Sequence, residues 1–282
     1  MVVTKKTVLI TGCSDGGMGA ALALAFHNAN YHVYATARNP KKMEGLASAG
    51  IETLTLDVLS DSSIAECVAK VPKLDILVNN AGHQFLMPVV DVNIAEAKKL
   101  YDLNVWAHIA VIQAFLPRLM ESKGIIVNQT SVGASVTLPF QAVYNSSKAA
   151  LAMLSNSLRL EIECFGVRVV DLRTGVVKTN LIKNLQDSNT TTLPKGSIYE
   201  PARDAVEKSL RQEGFEGGGL PAQQWAAAVV QDLSKKTPPA VIWRGEQSLL
   251  SRIVAMLPVL SWVDGLLKQA TGMDKVEQIL KK

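Results

Sequence analysis

The sequence predicts a single-domain α/β protein built as three layers, helices on both faces of a doubly wound parallel sheet. Short, nearly all-apolar runs rich in β-branched residues alternate with longer stretches of helical spacing, and strands buried on both faces read as continuous apolar runs. A glycine-rich loop joins the first such run to the first helical stretch. No repeat, low-complexity segment or linker divides the 282 residues, and one domain is the economical reading of that length.

Taken in order, the expected strands are residues 7–11, 31–36, 51–57, 74–79, 124–129 and 167–173, with a seventh at 240–243. Helical spacing occupies 20–28, 60–71, 94–120 and 145–165, where Ser60 is suited to cap the second helix and Gly166 to stop the last. Such repeated strand–helix units specify a parallel sheet. After Thr179 the pattern breaks: residues 184–192 are polar and 214–221 are glycine-rich. In doubly wound sheets ligands bind beyond the carboxyl ends of the strands, so this late excursion is placed to cover a substrate. The chain thus divides into a core at about 7–180, a covering segment at about 181–239, and a last strand with an apolar tail at 240–282.

Composition narrows the function classes. With 48% hydrophobic and 19% charged residues the chain is no candidate for disorder. The net charge is +4 and basic residues never run beyond pairs such as Lys5-Lys6 or Lys235-Lys236, which gives no footprint for nucleic acid. Cys13, Cys67 and Cys164 are odd in number and widely spaced, forming neither a disulfide framework nor a metal pair. A reducing, cytoplasmic setting is expected, and the apolar run after Lys6 is too short for a signal peptide.

The loop Thr11-Gly12-Cys13-Ser14-Asp15-Gly16-Gly17-Met18-Gly19 lies between a strand and a helix. There glycines admit a pyrophosphate close to backbone amides at the helix start. The context makes the fold Rossmann-type, and the residue closing the second strand then reports on the cofactor. A carboxylate would bind the ribose 2′-hydroxyl, whereas this chain has Arg38 after Ala37, which suits the 2′-phosphate of NADP (NADPH). The same loop contains Gly12-Cys13-Ser14-Asp15-Gly16, the G-x-S-x-G pattern of a serine hydrolase or lipase using Ser14. That mechanism needs a late histidine, and His27, His32, His83 and His108 all lie in the first half. A non-catalytic nucleotide-binding protein is the other alternative.

Tyr144 and Lys148 stand four residues apart at a helix start, on one face. A neighbouring cation favours the ionised phenol and so makes a tyrosine usable as an acid–base group near neutral pH. Ser131 precedes Tyr144 just beyond an expected strand, Asn79-Asn80-Ala81-Gly82 ends another, and Asn104 lies in the long helix that follows.

Together with the glycine loop, this ordered set resembles the short-chain dehydrogenase/reductase family over about residues 7–180. The resemblance implies that Tyr144 is the general acid, that Ser131 polarises the carbonyl oxygen, and that Lys148 binds the nicotinamide ribose. It implies that Asn104 holds a relay water, and that Gly12, Ser14, Asp15, Gly17 and Met18 form the phosphate loop. Asp57 and Val58 would meet adenine, with Asn80, Ala81 and Gly82 lining the cofactor and Val177 and Thr179 meeting the carboxamide. Asp57 also suits a turn cap, and Asn104 and Asn80 suit structural hydrogen bonding. The chain departs from the family pattern at Met18, where a glycine is usual, and at Thr174-Gly175, where Pro-Gly is usual and loss of the fixed φ loosens the nicotinamide end.

The extended glycine loop, Leu138-Pro139-Phe140 and Trp243-Arg244-Gly245 are similar to NADPH-dependent 1-acyldihydroxyacetone-phosphate reductases, and residues 131–148 also to 17β-hydroxysteroid dehydrogenases. Both imply a small-molecule ketone on a lipophilic body. The apolar supply at 249–267 (Leu249, Leu250, Ile253, Val254, Met256, Leu257, Val259, Leu260, Trp262 and Val263) serves a core, an interface of a homo-oligomer, or a contact with a lipid surface.

Overall fold

A computed structural model describes residues 5–180, 191–213, 218–256 and 264–281. The strands are β1 (Thr7–Thr11), β2 (His32–Ala37), β3 (Glu52–Thr55), β4 (Ile76–Asn79), β5 (Ile125–Gln129), β6 (Arg168–Thr174), β7 (Val177–Lys178), β8 (Leu220–Pro221) and β9 (Val241–Arg244). Seven form one sheet in the order β3-β2-β1-β4-β5-β6-β9 with every pairing parallel; β7 and β8 make a small separate pair. Among the described residues the helices are α1 (Met18–Asn28), α2 (Glu44–Ser48), α3 (Asp61–Lys70), α4 (Ile94–Tyr101), α5 (Ala107–Ser122), α6 (Ala142–Ile162), α7 (Arg203–Leu210), α8 (Ala222–Leu233), α9 (Ser248–Val254), α10 (Asp264–Thr271) and α11 (Met273–Leu280).

The three layers follow from period-two alternation in buried strands. Val8 and Ile10 of β1 point to one face, where they meet Leu22 and Phe26 of α1 and Trp225 and Val229 of α8. Leu9, between them, points to the other face, toward Ile64 of α3 and Val111, Phe115 and Leu119 of α5. A third apolar cluster caps the carboxyl end: Phe85, Leu86, Met87 and Phe140 meet Leu193, Val206 and Val276. The segment after residue 190 joins this cluster through Leu193, Val206 and Leu210.

Ser60 caps α3, its hydroxyl accepting from the Ser63 amide at 3.3 Å. Gly166, at φ +78°, ends the short turn that follows α6. The expected helix at 94–120 is interrupted by a π-helical turn, Asp102–Trp106, which carries Asn104; such turns are frequent at functional sites. The expected strand at 51–57 is shorter, because Asp57 turns its side chain back to accept from the Leu59 amide at 3.0 Å. In the tail, Leu249, Leu250, Ile253 and Met256 are exposed rather than core. Leu257, Val259, Leu260, Trp262 and Val263 lie outside the described residues.

Candidate active site

The strand order reverses at β1, whose neighbours are β2 on one side and β4 on the other. A crevice therefore opens beyond the carboxyl ends of β1 and β4. The two loops that leave these strands are stitched together by Thr11, whose hydroxyl accepts from the amides of Asn80 and Ala81, each at 2.9 Å. Asn80 replies with Nδ2, donating to the carbonyls of Thr11 at 2.8 Å and Gly12 at 3.1 Å. Gly12 has φ +74°, and a Cβ there would stand 2.9 Å from Ala81 Cα. Gly12→Ala should therefore cost about 1–2 kcal/mol for the left-handed backbone alone and lower Tm by about 2–4 °C per kcal/mol; a scan with and without a nicotinamide dinucleotide should also show weaker stabilisation by that ligand.

Gly17 begins α1 with no side-chain cap and no acid in the first turn. The amides of that turn are thus free to meet an anion at the positive end of the helix. Asp15 braces the loop: its amide donates to the Lys42 carbonyl at 2.7 Å and its carboxylate accepts from the Gly45 amide at 3.3 Å. The Ser14 carbonyl accepts from the Gly17 amide at 3.0 Å, closing the tight turn. Met18, the residue that breaks the family spacing, is the first of α1. These features fit a dinucleotide pyrophosphate.

Arg38 is exposed beyond β2 and forms no salt bridge among the described residues. Its charge reaches His83, whose pKa is lowered first by burial and then by Arg38. Asp57 spends one carboxylate oxygen on the turn described above, and Val58 beside it is buried. Val177 packs on the α1 side of the core, while the Asn180 amide donates to the Gly16 carbonyl at 3.2 Å and so holds Thr179 near the phosphate loop.

The reacting groups converge from β5, α4–α5 and α6. Tyr144 lies in the first turn of α6, where the Ser131 side chain is near enough to act on its phenol. Burial pushes the phenol pKa up, and Ser131 offsets this in part. Lys148, one turn on, places Nζ 5.9 Å from the Tyr144 ring centroid and donates to the Gln129 carbonyl at 2.9 Å. Burial pushes its pKa down to about 8, opposed by the charge of Asp171. Burial of the phenol outweighs the stabilisation that a neighbouring cation gives the phenolate, so the net shift of Tyr144 is upward.

Asn104 clasps the Asn80–His83 turn: Oδ1 accepts from the His83 amide and Nδ2 donates to the His83 carbonyl, both at 2.9 Å. Nδ2 also donates to Ser147 Oγ at 3.1 Å, tying that turn to α6. Gly82 sits so close that a Cβ would be 3.1 Å from Asn104 Oδ1 and 3.4 Å from Lys148 Nζ. The Thr174-Gly175 departure is compensated. Thr174 Oγ1 accepts from Gln129 Nε2 at 2.6 Å, and Val176 and Glu246 exchange two backbone bonds of 3.0 Å. The nicotinamide-end segment is therefore tied down without proline.

Sequence reasoning passed over Gln129 and Asp171, and named Thr174 and His108 without the bonds they make. His108, buried in α5, bonds the Ala81 carbonyl at 2.9 Å, and burial lowers its pKa to about 3, so the ring is neutral and donates from Nε2. The available signal was polarity within otherwise apolar strands: Asn128 and Gln129 in β5, Asp171 and Arg173 in β6.

A Rossmann-type crevice that brings Ser131, Tyr144 and Lys148 together defines an oxidoreductase of the alcohol–carbonyl pair. The short chain dehydrogenase family model matches residues 6–190, and the chain belongs to that family. A short-chain dehydrogenase/reductase of Pestalotiopsis microspora is 55% identical, covering 99% of this chain and 98% of the relative. An NADPH-dependent 1-acyldihydroxyacetone phosphate reductase of Schizosaccharomyces pombe is 40% identical, covering 90% of each chain. The solved structure of a short-chain dehydrogenase from Streptomyces avermitilis superposes with a TM-score of 0.74 at 27% identity, covering 99% of both chains.

Proposed function

We propose that this protein is an NADPH-dependent reductase that converts a ketone or aldehyde on a lipophilic body to the alcohol. The reading is carried by the convergence of Ser131 on Tyr144, with Lys148 one helical turn away and its Nζ 5.9 Å from the Tyr144 ring centroid. A nicotinamide cofactor, when bound, supplies the hydride. The amides of the Gly12–Met18 loop would hold its pyrophosphate, with Asp57 and Val58 toward adenine. Asn80, Ala81, Gly82, Val177, Thr179 and Lys148 would hold the nicotinamide half.

Ser131 Oγ donates to the substrate oxygen and orients it. Tyr144 Oη delivers its proton to the same oxygen as charge develops there; the raised phenol pKa keeps that proton in place at neutral pH. The Lys148 ammonium stabilises the phenolate left behind. Asn104 keeps the Asn80–His83 turn and α6 in register around these groups.

NADPH over NADH is supported by Arg38 and by the cofactor named for the Schizosaccharomyces pombe relative. Charge-assisted hydrogen bonds contribute about 1.5–3 kcal/mol, so Arg38→Asp should shift the NADPH/NADH ratio of kcat/KM toward NADH by about 10–100-fold. An unchanged ratio would remove Arg38 from that role. A lipophilic substrate is supported by the apolar cluster of Phe85, Leu86, Met87, Phe140 and Leu193, against which Tyr144 and Tyr199 pack. The hydrolase alternative finds no support: among the described residues no histidine bonds Ser14, and His108 is committed to Ala81.

The deciding experiment is a carbonyl panel with NADPH, spanning acyl-dihydroxyacetone phosphates, steroids and short polar ketones, followed by loss of cofactor absorbance. Turnover of lipophilic ketones is expected. Turnover confined to short polar ketones would overturn the substrate class, and no NADPH-linked turnover at all would overturn the reaction.

A further inference from the structure

β6 carries a charged pair, Asp171 buried and Arg173 part-buried, that the reaction described above does not use. Asp171 is 2% exposed, and a carboxylate in such a place is very costly unless paired and hydrogen-bonded. It is satisfied on both oxygens: Thr130 Oγ1 donates to Oδ1, and Arg173 Nε donates to Oδ2 at 2.7 Å. Arg173 lies over the Trp243 ring, 4.9 Å from its centroid, and Nη1 donates to Ser135 Oγ at 2.5 Å. The Thr130 amide also donates to the Leu172 carbonyl at 2.9 Å. Thr130 and Ser135 are the two ends of the turn that carries Ser131, and Thr130 is its immediate neighbour.

We propose that Asp171 and Arg173 form a two-armed clamp on the Thr130–Ser135 turn and are positioning residues for the Ser131 hydroxyl. Asp171 grips one end through Thr130, Arg173 grips the other through Ser135, and Trp243 fixes the guanidinium plane between them. Ser131 Oγ itself accepts from the Gly133 amide at 3.1 Å, so its direction depends on the shape of the whole turn. Displacing a reacting group by about 1 Å costs rate steeply, on the order of 100-fold. The clamp holds that displacement down without touching substrate. The proposal rests on the reading of Ser131 as the group that orients the carbonyl.

Asp171→Asn would leave a part-buried guanidinium without its carboxylate and threaten folding itself, so the test uses Thr130→Val, which keeps the shape and removes the donor, with Thr130→Ser as the conservative rescue. With NADPH and the best ketone of the carbonyl panel, Thr130→Val is expected to lower kcat by about tenfold with KM and NADPH Kd nearly unchanged. Thr130→Ser restores it, and Ser135→Ala gives a smaller loss of the same kind. Hydrogen exchange needs no substrate: in Thr130→Val the peptide spanning residues 130–136 should exchange faster while β6 and α6 keep their protection. Wild-type kcat and exchange in Thr130→Val overturn the clamp, as does equal loss in Thr130→Ser or faster exchange spread over β6. Ser131→Ala runs alongside: full turnover there overturns the role of Ser131, and the exchange result then decides the clamp by itself.

Discussion

Tyr144→Phe is expected to abolish most turnover while leaving NADPH binding intact. Only the hydroxyl is removed. The ring remains in the first turn of α6 and the phosphate loop is untouched, so NADPH Kd measured by nucleotide fluorescence should stay within about twofold of wild type. A positioned general acid contributes about 10²–10⁴-fold, and kcat should fall by that range with little change in KM. Because Ser131 orients the oxygen but does not supply its proton, Ser131→Ala should give a smaller loss. Combining the two should cost less than the product of the single effects, since both act on one oxygen. A Tyr144→Phe enzyme with wild-type kcat would refute the mechanism.

Lys148 controls the alkaline side. Its pKa is held down to about 8, chiefly by burial, with Asp171 acting in the opposite direction. The charged form is therefore present below about pH 8 and is lost as pH rises through that value. Burial moves Tyr144 upward instead, so the phenol keeps its proton through the same window. Reductive kcat/KM should accordingly be level near neutrality and fall above about pH 8, with Lys148 rather than Tyr144 as the titrating group. Lys148→Met should lower kcat/KM by about 10²–10³-fold, the loss typical when one group stabilising a developing charge is removed. It should also erase the alkaline limb. His108, whose pKa burial and then the Lys148 charge lower to about 3, stays neutral throughout and adds no limb there. An alkaline limb that persists in Lys148→Met would assign it to another group.

Much of the fold was legible because burial imposes period. Val8 and Ile10 against Leu9 in β1 record two covered faces, and the cap at Ser60 and stop at Gly166 work through bonds only a few residues long. Those parts of the reading needed no knowledge of distant chain. The helix expected across 94–120 failed at one point for a related reason: its apolar spacing runs on through the π turn at Asp102–Trp106, and nothing local marks the extra residue that swings Asn104 toward His83. Residues 203–210 and 222–233 were not assigned as helices, although Trp225 and Val229 of α8 lie in the same core as Phe26.

The candidate site divides the same way. By itself the sequence determined the parallel sheet, the phosphate loop and the order of Ser131, Tyr144 and Lys148, since spacing along one strand end or one helix face is a local property. Only the tertiary structure decided what the buried polar groups do. Asp57 turns back on Leu59, Asn104 clasps His83, Thr174 anchors Gln129 in place of proline, and Asp171 joins Arg173 beneath the Ser131 turn. A buried donor or acceptor must be satisfied, but its partner is whichever group the packed strands and helices bring within about 3 Å. That choice is made across tens of residues, where periodicity carries no information.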